Sequence, residues 1–387
     1  MRSHDAGRRR FLTSLAAGAA ATTMLPAFSR AGRPAGDDIP ATNIADALKF
    51  PRTATSMPGR YPGRVVDVFD AGSVVDGAPV AARAEAMLAR AMRELTGEAD
   101  VRDAWRQFVS PDDMVGLKVN PVAGALLSTS VAVTAAAVAQ LEAAGIPRAN
   151  IMIWDRREFE LHEAGFTAER FPGIRIRGTE CKDASGAFRD ASGALYGEAR
   201  IDRAWSYWAD CEESYDAETL PYMINEGKHS YFSRIVTEEV TKIVNIPILK
   251  NAGPTVTLCL KNLAYGAISN TGRLHKQLWG ETCAQVPCFP PLRDKTVLNI
   301  VDGLIGCYQG GPGANPQFIV PYHRILAGSD PVAVDRVGYE IVLAKRMETG
   351  VQKAPSARGT AFMDLAAGYG LGIADLSRIS HVTVDLS

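Results

Sequence analysis

Along residues 63–155 the spacing of apolar positions switches between two periods. GRVVDVFD (63–70) is a compact apolar run that predicts a strand, and VAARAEAMLARAMRELTG (80–97) sets Ala, Met and Leu at helical spacing with Gly97 as its stop. MVGLKVN (114–120) predicts a second strand, halted by Pro121. SVAVTAAAVAQLEAAG (130–145) predicts a helix, and NIMIWD (150–155) returns as a strand. Strand, helix and strand joined by short connections make a right-handed βαβ unit with parallel strands.

The second half repeats the pattern. EVTKIVNIPILK (239–250) reads as one strand, TVTLCLKNLAYGAI (255–268) as a helix and KTVLNIVDG (295–303) as a strand; RILAGSD (324–330) then leads into the helix PVAVDRVGYEIVLAKRM (331–347). This alternation predicts a layered α/β fold, a mainly parallel sheet with helices on both faces. Between Glu158 and Arg234 the alternation fails. Residues 158–234 therefore read as an aromatic-rich insertion carrying Trp205, Tyr207, Trp208, Tyr215, Tyr222, Tyr231 and Phe232, which either pack an irregular subdomain onto the sheet or wall a ligand cavity.

The first residues have a different character. Arg8-Arg9-Arg10-Phe11-Leu12 precedes a weakly apolar, alanine-rich run from Leu15 to Leu25, and Ser29-Arg30-Ala31 offers small residues for cleavage. Residues 1–31 read as a twin-arginine signal peptide, which implies passage through the twin-arginine translocase to a periplasmic or other extracytoplasmic address. The apolar run is short of the ~20 residues a stable transmembrane span needs. Residues 32–60, rich in Pro, Gly, Ala and Thr, read as a linker or extended lead-in, leaving 61–387 as the α/β domain.

Composition narrows the function without naming it. The 387 residues are 47% hydrophobic and 22% charged, and 42 basic against 43 acidic side chains give a formal charge of -1, so nothing global points to nucleic acid. The six cysteines, Cys181, Cys211, Cys259, Cys283, Cys288 and Cys307, form no C-x-x-C, which argues against an iron-sulfur cluster; Cys283 and Cys288 are the closest pair, and isolated buried thiols fit a chain of this length equally well. No glycine-rich nucleotide-binding fingerprint follows a strand.

The chemistry lies in VNIPILKNAGPTVTLCLKNLAYG (244–266), where Lys250-Asn251 and Lys261-Asn262 interrupt apolar surroundings. Lys250 falls at the carboxyl end of a strand, where open α/β sheets bind ligands, and the helix expected to start near Thr255 offers free N–H groups to an anion. Lys118 and Asn120 end their own strand in the same way. Lys118, Asn120, Lys250, Asn251 and Asn262 are therefore the candidate anion-binding residues. Asp302 closes a strand, and Asp335 sits among Val332, Val334 and Val337 without a local structural partner, whereas Asp330 before Pro331 reads as a helix N-cap. Asp302, Asp335 and Lys261 are the candidate catalytic residues. Lys-Asp pairing is the conservative account of the same set. A divalent metal is a candidate cofactor, with Asp302, Asp335, His275 and His323 as its candidate ligands, although no histidine shows ligand spacing.

VGLKVNP, VNIPILKNAGPTVTLCLKNLAYG, LNIVDGLIG and ILAGSDPVAVDRVGYEIV together resemble the domain-of-unknown-function 362 family, over roughly Val115 to Ala344. That family's Lys-Pro-Asn strand end is similar to Lys118–Asn120, with Val119 in the middle. Its Pro-Lys-Leu-Lys-Thr-His segment is similar to 247–252, where Asn251 and Ala252 replace Thr and His. Its Leu-Lys-Asn is similar to 260–262, and its Asp-Pro-x-Ala-x-Asp to 330–335. The resemblance implies an α/β protein of a family with exported members, some fused to ferredoxin modules that this chain lacks. The expectation is an exported enzyme that binds a small anionic substrate or cofactor, carboxylate or phosphate, at the carboxyl edge of its sheet, with isomerisation, hydrolysis and redox all open. The alternative is a non-catalytic binding or maturation protein that carries an anion or cofactor to a partner.

Overall fold

The structure, a computed structural model, describes residues 39–387 apart from 213–216, 218 and 225–226. The expected signal peptide, residues 1–31, residues 32–38 of the expected lead-in and Tyr215 lie outside the described residues. Residues 39–60 run along the surface as a lead-in that holds α1 (Ile44–Leu48) and bonds to the domain, with Asn43 N donating to Trp208 O at 3.1 Å and Met57 N to Arg293 O at 2.8 Å.

β1 (Arg64–Phe69) passes through the small hairpin of β2 (Val74–Val75) and β3 (Ala78–Pro79) into α2 (Ala81–Thr96) and α3 (Val101–Arg106). β4 (Val115–Val119), α4 (Val131–Ala143) and β5 (Ile151–Arg157) form the expected βαβ unit, with Ser130 Oγ capping α4 at Val133 N. α5 (Glu158–Glu163) and β6 (Arg175–Glu180) extend the alternation, since β6 pairs parallel to β5. Of the span 158–234, only the part after Glu180 therefore departs from the sheet. It contains a separate two-stranded ribbon, β7 (Ile201–Trp208) and β8 (His229–Ser233). Tyr207 and Phe232 of this ribbon are fully buried against Phe289 and join the main core, and Tyr222 meets Phe159 edge-on and Phe188 at a tilt, so these aromatics pack a subdomain onto the sheet.

The segment 239–250 is two strands. β9 (Lys242–Ile246) and β10 (Ile248–Ala252) are separated by Pro247, which has no N–H to give the ladder; its carbonyl instead accepts Asp302 N at 2.8 Å. β10 then turns back on itself through Gly253, at φ +54°, and pairs antiparallel with β11 (Thr255–Val256). The following helix, α6 (Cys259–Ala267), consequently starts four residues later than expected. α7 (Leu274–Gln277), α8 (Trp279–Gln285) and α9 (Pro290–Arg293) lead to β12 (Thr296–Cys307) and β13 (Ile319–Gly328). α10 (Pro331–Glu348), α11 (Ala357–Gly368) and β14 (Ser380–Asp385) complete the chain.

The ten-stranded sheet has the order β14-β1-β13-β12-β9-β4-β5-β6, with β10 beside β12 and β11 beside β10. Only β13 and β11 run against the rest, which makes the sheet mainly parallel. α2, α3 and α4 bury one face, where Val115, Leu117 and Val119 of β4 point; α6, α8, α10 and α11 bury the other. Lys118, of opposite parity, lies on the α6 side. Among the described residues no helix is long and apolar enough to cross a membrane.

Candidate functional site

A polar row crosses the α6 face of the sheet. Strand register places Trp154, Lys118, Asn245 and Asn299 side by side on β5, β4, β9 and β12, all fully buried. Such groups are tolerated in a core only when bonded, and α6 supplies the partner. Asn262 Oδ1 accepts from Lys118 Nζ and from Asn120 Nδ2, each at 3.0 Å, while its Nδ2 donates to Asn245 Oδ1 at 2.8 Å. Asn245 Nδ2 continues the chain to Asn299 Oδ1 at 2.9 Å.

The three lysines have different electrostatic situations. Lys118 Nζ forms an ion pair with Asp155 Oδ1 and donates to Val119 O at 2.8 Å; burial pushes its pKa down and the Asp155 carboxylate opposes this. Its charge is matched. Lys250 Nζ donates to Asn120 Oδ1 at 3.0 Å and Val122 O at 2.9 Å, and among the described residues no carboxylate lies within ion-pair distance. Burial first, then repulsion from Lys261, lowers its pKa to about 7. Lys261 is 5% exposed and has neither a hydrogen bond nor an ion pair among the described residues. Its ammonium lies 5.5 Å from the ring centre of Tyr265 and 5.4 Å from that of Trp279, and burial, with repulsion from Arg156, lowers its pKa to about 8.

Two further groups face Lys261. Arg156 pairs with Glu180 and donates to Thr271 Oγ1 and, at 3.3 Å, to Tyr265 O. The His275 ring packs at a tilt against Tyr265, ring centres 4.4 Å apart, and its Nδ1 meets Thr271 O at 3.0 Å. A carbonyl only accepts, so Nδ1 carries the proton and Nε2 is bare in the neutral ring. Burial of part of the ring and the cations Lys261 and Arg156 hold the His275 pKa below its ordinary value.

Both candidate aspartates are engaged by backbone. Asp335 Oδ1 accepts Cys259 N at 2.5 Å and Oδ2 accepts Leu260 N at 3.1 Å, so the N-terminus of α6 is capped by α10. The structural partner that its own neighbourhood did not supply comes from 76 residues away, and the helix end proposed to receive an anion is already occupied by a carboxylate. Burial raises the Asp335 carboxyl to about 7 against the pull of these N–H groups. Asp302 accepts Ser130 N at 2.7 Å and Leu304 N at 3.1 Å, and burial raises its pKa. Asp330 is the expected N-cap, accepting Val332 N and Ala333 N at 3.0 and 2.9 Å.

The metal candidates are not brought together. His323 lies in β13, bonded through Nδ1 to Ser73 Oγ at 3.2 Å and packed on Phe69, and among the described residues no three His, Cys, Asp or Glu side chains group to hold a metal. Asn251 holds a loop: its Oδ1 accepts Gly311 N at 2.9 Å and its Nδ2 donates to Gly253 O at 3.3 Å. An open cleft of about 520 Å³ lies beyond it, lined by Gly253, Gln309, Arg346 and Ser356 among others. All six cysteines are buried thiols.

Asp155, Arg156, Asn245 and Asn299 belong to the site and were missed. Asn245 and Asn299 had a signal, a lone amide inside the aliphatic runs KIVNI and VLNIV; such a residue must find a partner across the sheet. No curated protein matches the chain. The lysine and asparagine site, with the Asp335 cap, falls largely in the stretch matched by a family model described as Domain of unknown function (DUF362), and over residues 209–340 the chain carries that family's domain.

Proposed function

We propose that this chain is an exported enzyme that binds a small anion, a carboxylate or a phosphate, at the carboxyl edge of its sheet, with Lys250, Lys261 and Arg156 receiving the negative charge. The observation that carries the reading is Lys261: a lysine more than nine-tenths buried, with no hydrogen bond or ion pair among the described residues, beside a second buried lysine that has no carboxylate partner. Burial depresses the pKa of both, with Lys261 adding to the effect at Lys250 and Arg156 to that at Lys261, and a bound anion relieves both. Lys118 serves differently, since Asp155 already matches it. Its role is to fix Asn262 and, through Asn120, the position of Lys250.

The engagement of Asp302 and Asp335 by backbone N–H groups favours a second reading, a non-catalytic protein that binds or delivers an anion or cofactor. Titration calorimetry of the full chain with phosphate and with acetate tests the shared core of both readings. Lys250→Met and Lys261→Met should each weaken binding about tenfold or more, since a hydrogen bond to a charged group contributes about 1.5–3 kcal/mol. Unchanged affinity in both variants would sink the site. Export rests on the leader; fractionation of cells expressing the chain with Arg8→Lys and Arg9→Lys should find it retained in the cytoplasm, and normal export of that variant would refute the twin-arginine reading.

A further inference from the structure

Three features of the neighbourhood of Lys261 go beyond what anion binding requires. An ammonium whose only task is to hold an anion is ordinarily kept charged by neighbouring acceptors, as Lys118 is by Asp155, Val119 O and Asn262. Lys261 has different surroundings: the faces of Tyr265 and Trp279, the cation Arg156, and no carboxylate, hydroxyl or carbonyl acceptor among the described residues. These are the conditions that activate a lysine as a nucleophile, an apolar wall and adjacent positive charge. The residue also keeps 5% of its surface, whereas Lys118 and Lys250 keep none, so it is the buried lysine of the three that a ligand reaches. Finally, His275 packs a neutral imidazole, with Nε2 bare, against Tyr265, whose ring face Lys261 also meets, so this neighbour brings no countercharge to the ammonium.

Resting on the anion-binding reading above, we propose that Lys261 forms an imine with a small anionic carbonyl compound of the 2-oxo acid class. The Lys261 nitrogen adds to the carbonyl carbon, a proton moves from nitrogen to the former carbonyl oxygen, and loss of water from the carbinolamine leaves the C=N double bond. No oxidant or reductant is consumed. The carboxylate of the 2-oxo acid sits one bond from the reacting carbon, which suits the cation Arg156 and Lys250, whose charged form a bound carboxylate favours. Lys250, bonded to Asn120 Oδ1 and Val122 O, is a charge donor and not the nucleophile. A fraction of Lys261 is unprotonated near neutral pH because burial lowers its pKa to about 8.

The experiment treats the full chain with pyruvate and, separately, glyoxylate in the presence of sodium borohydride, which reduces an imine to a stable amine, followed by intact mass and peptide mapping. The expected result is a single adduct per chain on Lys261, formed with the wild type and absent from Lys261→Arg, which keeps the cation but has no primary amine. Acetate binding by calorimetry, run on both proteins, separates the two levels of the proposal. Acetate binding retained in both with no adduct on wild-type Lys261 overturns the imine and leaves the anion site standing; absence of acetate binding from both overturns the anion site. An adduct on Lys250, or scattered over surface lysines, also overturns the assignment of Lys261 as nucleophile.

Discussion

A Cβ placed on Gly266 would lie 2.1 Å from Lys118 Cε and 2.6 Å from its Nζ, so the Lys118-Asp155 ion pair occupies space that only a glycine in α6 leaves free. Helix propensity and packing make opposite forecasts for Gly266→Ala. Propensity favours Ala in a helix by about 1 kcal/mol, whereas overpacking a filled core costs about 1–3 kcal/mol, and here the atoms displaced belong to a buried charge pair. Packing wins on these magnitudes. Urea denaturation should find the variant less stable than wild type, and a gain in stability would mean that Lys118 does not lie under α6.

The ion pair itself predicts non-additivity. Lys118→Met strands the buried Asp155 carboxylate and should cost about 3–5 kcal/mol, as breaking one side of a buried pair does. Asp155→Leu strands the ammonium. The double variant removes both charges and should lose much less than the sum of the single variants, leaving a coupling energy measurable by denaturation of all four proteins. Simple additivity would deny the pairing.

Asp335 joins α10 to the start of α6, so its replacement should act on stability before it acts on ligands. In Asp335→Ala the N–H groups of Cys259 and Leu260 lose their acceptors in a dry interior, at a cost of about 1–3 kcal/mol for each group left unsatisfied. Thermal unfolding should record the loss, while phosphate affinity at Lys250 and Lys261 falls much less than in Lys261→Met. A variant with wild-type stability and no affinity would return Asp335 to the binding site.

The division between what could and could not be read from the chain follows sequence distance. Local signals are sound: Asp330 before its helix, Gly97 after α2, and the parallel β4-α4-β5 unit are set by near neighbours. Lys118, Asn120, Lys250 and Asn262 stand out as polar interruptions of apolar runs, and the fold joins them through hydrogen bonds. What failed was pairing across the chain. The Asp335 cap, the Asp155 partner and the Asn245-Asn299 bridge depend on which strands lie side by side, and periodicity carries no information about strand order. Pro247 was visible, yet β9 and β10 read as one strand because their apolar pattern continues across it. Periodicity starts the helix after Gly253 too early because β11 is too short to show a period of its own.

The same two lysines give a pH dependence with a definite sign. Their folded pKa values, about 7 for Lys250 and about 8 for Lys261, lie below the ordinary 10.5 of an unfolded lysine. Between about pH 8 and 10.5 the unfolded chain therefore holds protons that the folded chain has released, so the contribution of this pair to stability rises with pH across that window. Binding runs the other way. An anion favours the charged lysines, raises both pKa values and draws protons from solution, so affinity should be greatest below pH 7 and fall as pH rises through 7 to 8 and beyond. Sulfate, which keeps its charge over this range, is the suitable probe. Calorimetry in two buffers of different ionisation enthalpy should register proton uptake near pH 8, and Lys261→Arg, whose guanidinium does not titrate there, should take up less. Sulfate binding without proton uptake would mean that neither lysine receives the anion.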